Sequence, residues 1–203
     1  MRHVYTERDI PTSGELRVVK GSLITPSARD LAGERGIAII ELPEHEMSGL
    51  AAPEKTVAIG ADHGGFQLKQ ILLPVFFELG FAPRDVGVFD ETPADYPDIA
   101  LKVADLVAAG TAARGVVIDG AGIGSAMAAN KVRGVRAALC YDVASARNSR
   151  EHNNANVLTL GGRLLTASQA ETVLRTWLGT PYGGGRHQSR LDKLAEIERR
   201  NFL

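Results

Sequence analysis

The chain is short of cysteine, aromatic side chains and long apolar runs, and each shortage excludes a class of protein. Cys140 is the single cysteine among 203 residues, which excludes an internal disulfide framework and favours a reducing compartment. Aromatic residues make up 5% of the chain, too few for the stacking platforms of single-stranded nucleic-acid binders. No apolar run reaches the roughly 18 residues of a membrane span, and the N-terminus lacks the apolar core of a signal peptide.

The chain also has little net charge and no metal-binding sequence motif. The formal net charge of −1 gives no reason to expect a nucleic-acid or membrane partner, so the chain is predicted to be soluble and cytoplasmic. The five histidines show no zinc-binding spacing, and we predict neither a metal site nor a cofactor. Cys140 ends an apolar strand with no sign of thiolate activation nearby, which argues against a nucleophilic role.

From about residue 56 onward, strand-like and helix-like patterns alternate. The predicted strands are Thr56–Gly60, Asp85–Phe89, Gly115–Ile118, Val135–Cys140 and Asn156–Gly161, and the predicted helices are Phe66–Leu79, Pro97–Ala109, Ser125–Lys131, Val143–Glu151 and Ala167–Leu178. This repeat predicts an α/β fold with a five-stranded parallel sheet and helices on both faces. Ligands of such sheets bind beyond the carboxyl ends of the strands, which places Asp62 and Asp119 on one rim.

The first part of the chain has a different pattern, and we predict an N-terminal extension at 1–53 and a main domain at 54–203. Thr25 is suited to cap a helix that has Pro26 at its first position, and residues 36–42 read as a strand. Residues 43–53 read as a linker. Because so small a piece is not expected to hold a core of its own, it should dock on the main domain, a second subunit or another protein.

The segment from Val116 to Ser125 is the most informative in the chain. An apolar strand ends on Asp119, and a turn with glycines at every second position leads into a helix. Glycines allow positive φ and let backbone N–H groups point at a bound oxygen. Proton abstraction beside a carbonyl needs a carboxylate next to such donors, so Asp119 is the candidate base. The plainer alternative is a tight strand-to-helix turn, although three glycines exceed what one turn requires.

Two further polar stretches are candidate ligand sites. In Asp62-His63-Gly64-Gly65, after the first strand, amides and an imidazole can meet a sugar or phosphate oxygen; alternatively Asp62 only caps the next helix. The stretch 149–156 contains His152 and Asn153, which can polarise hydroxyls, or is simply a solvated loop.

A pair of arginines follows a run of glycines near the C-terminus. Arg186 and Arg190 are four residues apart, so a helix would put both on one face and in its first turn. Two cations there oppose the helix dipole, and a bound phosphate would offset that cost. The alternative is an ordinary surface pair.

Taken together, these motifs resemble those of the ribose-5-phosphate isomerase B and galactose-6-phosphate isomerase family. The matching stretches occur in order from about Thr56 to Asn201: Asp62-His63-Gly64-Gly65-Phe66, Asp95-Tyr96-Pro97-Asp98, Gly122-Ile123-Gly124, Ala128-Ala129-Asn130-Lys131, Gly134-Val135-Arg136-Ala137-Ala138-Leu139-Cys140, Arg150-Glu151-His152-Asn153-Asn154-Ala155-Asn156-Val157 and Gly184-Gly185-Arg186-His187. As a set they are far more specific than any one of them.

The resemblance implies a Rossmann-like α/β/α sandwich, a homodimer with shared active sites (or a tetramer made of two such dimers) and metal-independent aldose–ketose isomerisation of a sugar phosphate. It implies that His152 assists ring opening and that the backbone from Gly120 to Ser125, with Gly122 and Gly124, stabilises an enediolate. The residues it implies for sugar or phosphate binding are Asp62, His63, Tyr96, Asn153, Arg163, Arg186 and Arg190.

The chain departs from that family at the base. Many members have Cys at the position of Asp119 and Thr or Ser at that of Ala121, and others use Glu at the position of Ser125. We expect Asp119 to act as the base if apolar neighbours such as Ile118 and Ile123 raise its proton affinity. Because a carboxylate differs in shape from a thiolate, we expect a tetrose phosphate or an unusual pentose phosphate as substrate.

Two other functions stay open at this stage. One is a non-catalytic sugar-phosphate-binding protein that has lost the usual Cys base. The other is a phosphotransfer or hydrolase site in which Asp62 and Asp119 hold Mg²⁺. Separately, the run from Gly21 to Asp30 resembles a short element of bacterial microcompartment enzymes, which implies a docking role for residues 1–53 and a microcompartment as the alternative location.

Overall fold

A computed structural model describes residues 4–10, 15–42 and 55–201. The chain divides into two compact units, Met1–Ala51 and Ala52–Leu203. The predicted linker at 43–53 lies outside the described residues. In the described ranges the first unit contains β1 (Val4–Tyr5), β2 (Glu15–Val19), β3 (Leu23–Ile24), α1 (Pro26–Glu34) and β4 (Ala38–Leu42).

The N-terminal unit confirms two of the local predictions. Thr25 caps α1, since its hydroxyl accepts a hydrogen bond from the Ala28 amide at 3.2 Å, and Pro26 opens the helix. Strand β4 forms where a strand was predicted and pairs in parallel with β2, and β1 pairs in parallel with β3. The expectation that the piece holds no core is wrong. Its buried apolar side chains form a cluster of Ile10, Val18, Ile24, Ala28, Ala32 and Ile37.

The second unit has the predicted three-layer α/β/α architecture. Its strands are β5 (Thr56–Ala61), β6 (Ala82–Asp85), β7 (Arg114–Asp119), β8 (Ala137–Leu139) and β9 (Val157–Gly161), and its helices are α2 (Phe66–Glu78), α3 (Tyr96–Ala108), α4 (Ile123–Ala129), α5 (Val143–Glu151), α6 (Ala167–Gly179) and α7 (Gln188–Asn201). The five strands form one parallel sheet in the order β6-β5-β7-β9-β8. The fold class is therefore confirmed.

Alternate residues of the central strands enter two cores, one on each face of the sheet. Val57 and Ile59 point into a cluster with α2 and α6, whereas Ala58 points into a cluster with α3. This alternation is the period-two pattern of strands that are covered on both faces. Since β5 and β7 are neighbours but are followed by helices on opposite faces, the crevice beyond their carboxyl ends is a topological switch point, where ligands of such sheets bind.

The structure corrects two predictions, the position of one strand and the arrangement of an arginine pair. The second strand is Ala82–Asp85, not 85–89, because an edge strand tolerates Pro83 and a polar sequence. The apolar residues after it still bond to β5: the Val86 amide donates to the Ile59 carbonyl at 2.9 Å, and the Val88 amide to the Ala61 carbonyl at 2.7 Å.

The second correction concerns the arginine pair. Arg186 lies in a short 3-10 turn, Gly185–His187, and only Arg190 lies in the first turn of α7. The two arginines therefore do not share the first turn of one helix. Positive φ at Gly184 and Gly185 forms the turn that leads into Arg186.

A fully buried lysine on α2 fixes the segment that leads from β6 to α3. The Lys69 ammonium donates to both carboxylate oxygens of Asp85, at 2.7 and 2.8 Å, and to the Val88 carbonyl at 2.6 Å. At the far end of this segment the Ala94 amide donates to His63 Nδ1 at 3.4 Å. Lys69 thereby holds one wall of the crevice beside Asp62.

We expect Lys69→Met to lower the free energy of unfolding by about 3 kcal/mol, because it leaves the Asp85 carboxylate with the Gly87 amide but no cation and removes the ammonium donor of the Val88 carbonyl. Chemical denaturation measures this change. Lys102→Met, on the exposed side of α3, is the matched control and should stay within about 0.5 kcal/mol of the wild type. Equal stability of the two variants would contradict this role for Lys69.

Candidate active site

The Asp119 carboxylate lies at the switch point and is turned into its own glycine turn. Its Oδ1 accepts hydrogen bonds from the amides of Ala121, at 2.7 Å, and Gly122, and its Oδ2 accepts one from the Ser125 amide at 2.9 Å. Asp119 is 4% exposed. A carboxylate offers about four lone-pair positions, so these three donors orient the group and leave one position on Oδ2.

The glycines of this turn are required to different degrees. Gly122 has φ +79°, and a methyl group there would lie 2.6 Å from a Leu139 side-chain carbon. A methyl group at Gly124 would lie 2.5 Å from the Tyr96 ring, whereas one at Gly120 would meet Arg163 at an ordinary 3.7 Å. Packing therefore does not require glycine at position 120. The lack of a side chain there leaves the backbone open beside the Arg163 side chain.

The apolar environment expected around Asp119 is found on one side only. Ile118 is fully buried in the core beneath it, but Ile123 is 46% exposed. The Ser125 hydroxyl is buried and has no hydrogen-bond partner within the described residues. Buried hydroxyls usually have a hydrogen-bond partner, so this one is available to a bound molecule.

Asp62 follows β5 and reaches the same crevice. Its amide donates to the Ile118 carbonyl at 3.1 Å, and its Oδ1 accepts from the Gly65 amide at 3.0 Å. The bond to Gly65 closes the turn before α2, but Gly65 itself is the N-cap of that helix and no side chain caps it, so the alternative that Asp62 caps the helix is wrong. A methyl group at Gly65 would lie 2.1 Å from the Ile118 carbonyl oxygen, which means that only glycine lets the two loops approach so closely. Burial raises the pKa of the Asp62 carboxyl, and the nearby Asp119 charge adds to that effect.

The loop after β9 completes this rim. The Gly162 amide donates to the Asp119 carbonyl at 2.7 Å, and the Arg163 amide to the Gly120 carbonyl at 3.0 Å. Eight of the predicted site residues are thereby brought to the carboxyl edge of the sheet: Asp62, His63, Tyr96, Asp119, Gly122, Gly124, Ser125 and Arg163.

The remaining predicted residues form a second cluster at the opposite edge. His152 ends α5, and its ring stacks on His187 with centroids 4.2 Å apart and the planes 15° from parallel. The Gly183 amide donates to the Glu151 carbonyl at 2.9 Å, which ties the glycine run to this end of α5. Since α5 has nine residues, it carries His152 about 13 Å from the rim where it begins. The same cluster contains Asn153, Arg186 and Arg190, because these residues are close in the chain to His152 or His187. One chain therefore does not bring the two sets of residues together.

Two residues near the clusters had no predicted role. The Tyr141 hydroxyl donates to the Ala121 carbonyl at 2.8 Å, which places a phenol at the glycine turn. His187 stands in the Gly-Gly-Arg-His motif, and burial lowers its pKa, with further lowering by His152, Arg186 and Arg190. The signal for Tyr141 was its position directly after an apolar strand, the position that also singled out Asp62 and Asp119.

Other groups in the molecule are not suited to the chemistry. Cys140 is buried, and burial raises the pKa of its thiol, in keeping with the expectation that it is not an activated nucleophile. Within residues 4–10, 15–42 and 55–201, no three His, Cys, Asp or Glu side chains are grouped so that they could hold a metal ion. No helix in these ranges is long and apolar enough to cross a membrane.

Comparison with known proteins agrees with this geometry. The family model described as Ribose/Galactose Isomerase matches residues 57–194. The chain belongs to this family. It is 41% identical over 146 residues to ribose-5-phosphate isomerase B of Escherichia coli, a match that covers 72% of this chain and 98% of that protein. Both the family model and this relative are named as isomerases.

Solved structures of family members superpose on the second unit. Ribose-5-phosphate isomerase B of Clostridium thermocellum is 44% identical with a TM-score of 0.70, and the match covers 71% of this chain and 98% of that one. The Mycoplasma genitalium enzyme, solved with bound ribulose-5-phosphate, is 38% identical with a TM-score of 0.69, covering 72% and 97%. The N-terminal unit accounts for most of what these relatives leave unmatched.

Proposed function

We propose that the chain interconverts an aldose phosphate and its ketose isomer through an enediolate, without a metal, and that Asp119 removes the carbon-bound proton. The observation that carries this proposal is the free lone-pair position on Asp119 Oδ2 at the switch point. The amides of the turn fix the carboxylate before substrate arrives, which is how preorganised sites lower a barrier. The Ser125 amide holds Oδ2 in place through its hydrogen bond.

The phosphate is assigned to Arg186 and Arg190, with Arg163 at the rim. Arginine recognises phosphate through paired N–H donors, and a histidine neighbour adds a further donor. We infer a tetrose phosphate or an unusual pentose phosphate, because a carboxylate replaces the usual thiol at the reacting carbon. His152, with Asn153 beside it, assists ring opening, and Asp62, His63 and Tyr96 hold the sugar.

The active site is proposed to be shared between two copies of the chain. The base is at the carboxyl edge of the sheet, whereas His152 and the phosphate-binding arginines are at the opposite edge. Two copies in opposite orientation place the second cluster of one beside Asp119 of the other, and a two-fold axis then builds two sites at once. A tetramer is a pair of such dimers.

One observation favours a second candidate, a sugar-phosphate-binding protein without turnover. The amides of Ala121 and Gly122, which the resemblance assigns to the enediolate, donate here to Asp119 itself. A carboxylate that only replaces the lost oxyanion contact would hold the turn in shape but do no chemistry. Both candidates predict phosphate binding, so only a measurement of turnover distinguishes them.

Incubation of the purified chain with phosphorylated tetroses, pentoses and hexoses in the presence of a chelator tests the proposed function. We expect aldose–ketose interconversion of at least one member that continues with EDTA present. Binding of sugar phosphates with no turnover of any would support the second candidate. Activity that stops in chelator and returns with Mg²⁺ would favour a metal-dependent site at Asp62 and Asp119.

For residues 1–53 we propose a docking role, with the interior of a bacterial microcompartment as the location. Two observations support this proposal. The N-terminal residues form a compact unit of their own, and the relatives match the rest of the chain over nearly the whole of the relatives' length. A chain that begins at Pro53 should keep its isomerase activity and lose co-fractionation with a microcompartment shell. Failure of the shortened chain to fold would refute the proposal.

A further inference from the structure

Asp62 and Asp119 form a pair of buried carboxyl groups on neighbouring strands. Strands β5 and β7 pair in register at Ala61 and Ile118, so the next residue of each strand leaves the sheet at the same edge. The strands are about 4.8 Å apart at this point. Asp62 is 7% exposed, comparable to Asp119. A mutual approach of two carboxyl groups in a crevice is unfavourable unless one of them holds a proton.

The surroundings of the two groups are unequal. Three amides donate to Asp119, whereas the Gly65 amide is the main donor to Asp62. Burial raises the pKa of Asp62, the backbone amides of Gly65 and Gly64 oppose this effect, and the Asp119 charge strengthens it. Asp62, which has the raised pKa and fewer hydrogen-bond donors, is therefore the member of the pair that is better suited to carry a proton. Pairs with unequal surroundings are how enzymes assign one carboxyl as acid and its neighbour as base.

We infer that Asp62 is the general acid of the isomerisation, donating a proton to the substrate carbonyl oxygen while Asp119 removes the neighbouring carbon-bound proton. This inference rests on the proposed function. The electrons of the broken C–H bond form the C=C bond of the enediol, and the carbonyl π electrons move to the oxygen that accepts the Asp62 proton. In the second half Asp62 takes a proton from the other hydroxyl and Asp119 returns its proton to carbon. No oxidant or reductant is needed.

The alternative is that Asp62 only closes the turn before α2. The other groups that face the pair are His63 from its own turn, Tyr96 from α3 and Arg163 beside Gly120, and among these the His63 charge favours ionised Asp62. Asn in place of Asp62 keeps the oxygen that accepts from the Gly65 amide and cannot transfer a proton. Asp62→Asn therefore separates an acid role from a role in closing the turn.

The test compares wild type, Asp62→Asn and Asp90→Asn over a pH series on the sugar phosphate that the wild type turns over. Asp90 is the matched control, an exposed carboxylate that accepts a backbone hydrogen bond from Thr92 at 2.9 Å. We expect Asp62→Asn to keep its melting temperature and its affinity for inorganic phosphate. Its kcat should fall by about 10²- to 10⁴-fold, and the alkaline limb of the kcat/KM profile should disappear, while Asp90→Asn behaves as wild type.

Three outcomes would overturn the acid role of Asp62. The first is wild-type kcat in Asp62→Asn, which leaves Asp62 only the role of closing the turn before α2. The second is a lower kcat with an unchanged alkaline limb, which shows that another group titrates there. The third is a wild type that turns over no sugar phosphate, and only this outcome also overturns the proposed function. If Asp62→Asn fails to fold, Asp62→Ser, which keeps an oxygen acceptor, is measured in its place with the same criteria.

Discussion

Asp119→Asn should lose turnover by a factor on the order of 10⁴ while it still binds inorganic phosphate. The amide cannot accept the carbon-bound proton, and the proposed phosphate ligands Arg186 and Arg190 lie at the opposite edge of the sheet. Steady-state kinetics on the active sugar phosphate and calorimetric titration with phosphate measure the two effects separately.

The stability of this variant needs its own control, because an Asn Nδ2 facing the Ser125 amide sets donor against donor. Asp142→Asn is the matched variant, since Asp142 also accepts a backbone hydrogen bond, from Ser145 at 2.7 Å, and caps α5. We expect it to remain active. Asp119→Cys, which introduces the base common in the family, should retain measurable turnover. Wild-type kcat in Asp119→Asn would remove Asp119 from the mechanism.

Mixing two inactive variants should restore activity if the sites are shared. Asp119→Asn disables the carboxyl edge, and the double variant Arg186→Ala/Arg190→Ala disables the opposite edge. A mixed dimer then has one site with both defects and one with none, so random pairing after co-expression should give about one quarter of wild-type activity. Differently tagged chains, purified in tandem, isolate the mixed dimer for assay.

The control for this complementation uses two variants at the same edge. Asp119→Asn mixed with Asp62→Asn leaves one defect in every site, whatever the arrangement of the subunits, and should stay inactive. Activity in neither mixture would mean that each chain carries a complete site, contrary to the two-cluster arrangement around His152 and Asp119.

The sequence predicted the layers of the fold because β-branched runs and helical periods alternate without ambiguity. Helix α5 was predicted with the observed bounds, since Asp142 forms a capping box with Ser145. Edge strand β6 was misplaced, because Val86 and Val88 match strand propensity better than Ala82–Asp85 does. Their backbone still bonds to β5, so the error is one of position along the same edge.

The site was predicted in part. Its residues could be identified one by one, because strand ends and helix starts in a parallel sheet converge on one rim. That His152 and Arg186 lie at the other edge depends on the direction of α5 and on the 3-10 turn, which the spacing of Arg186 and Arg190 did not indicate. The orientation of the Asp119 carboxylate toward three amides depends on the φ angles of the glycine turn and could not be read from the residue types.

Solvent-proton exchange tests the central claim that Asp119 removes a proton from the substrate carbon. The wild type is incubated in deuterium oxide with chelator and its sugar phosphate, and NMR of the recovered aldose follows the hydrogen on the carbon next to the carbonyl. We predict that deuterium enters this position at a rate comparable to turnover and that exchange is lost in Asp119→Asn. Undiminished exchange and turnover in Asp119→Asn would contradict the account.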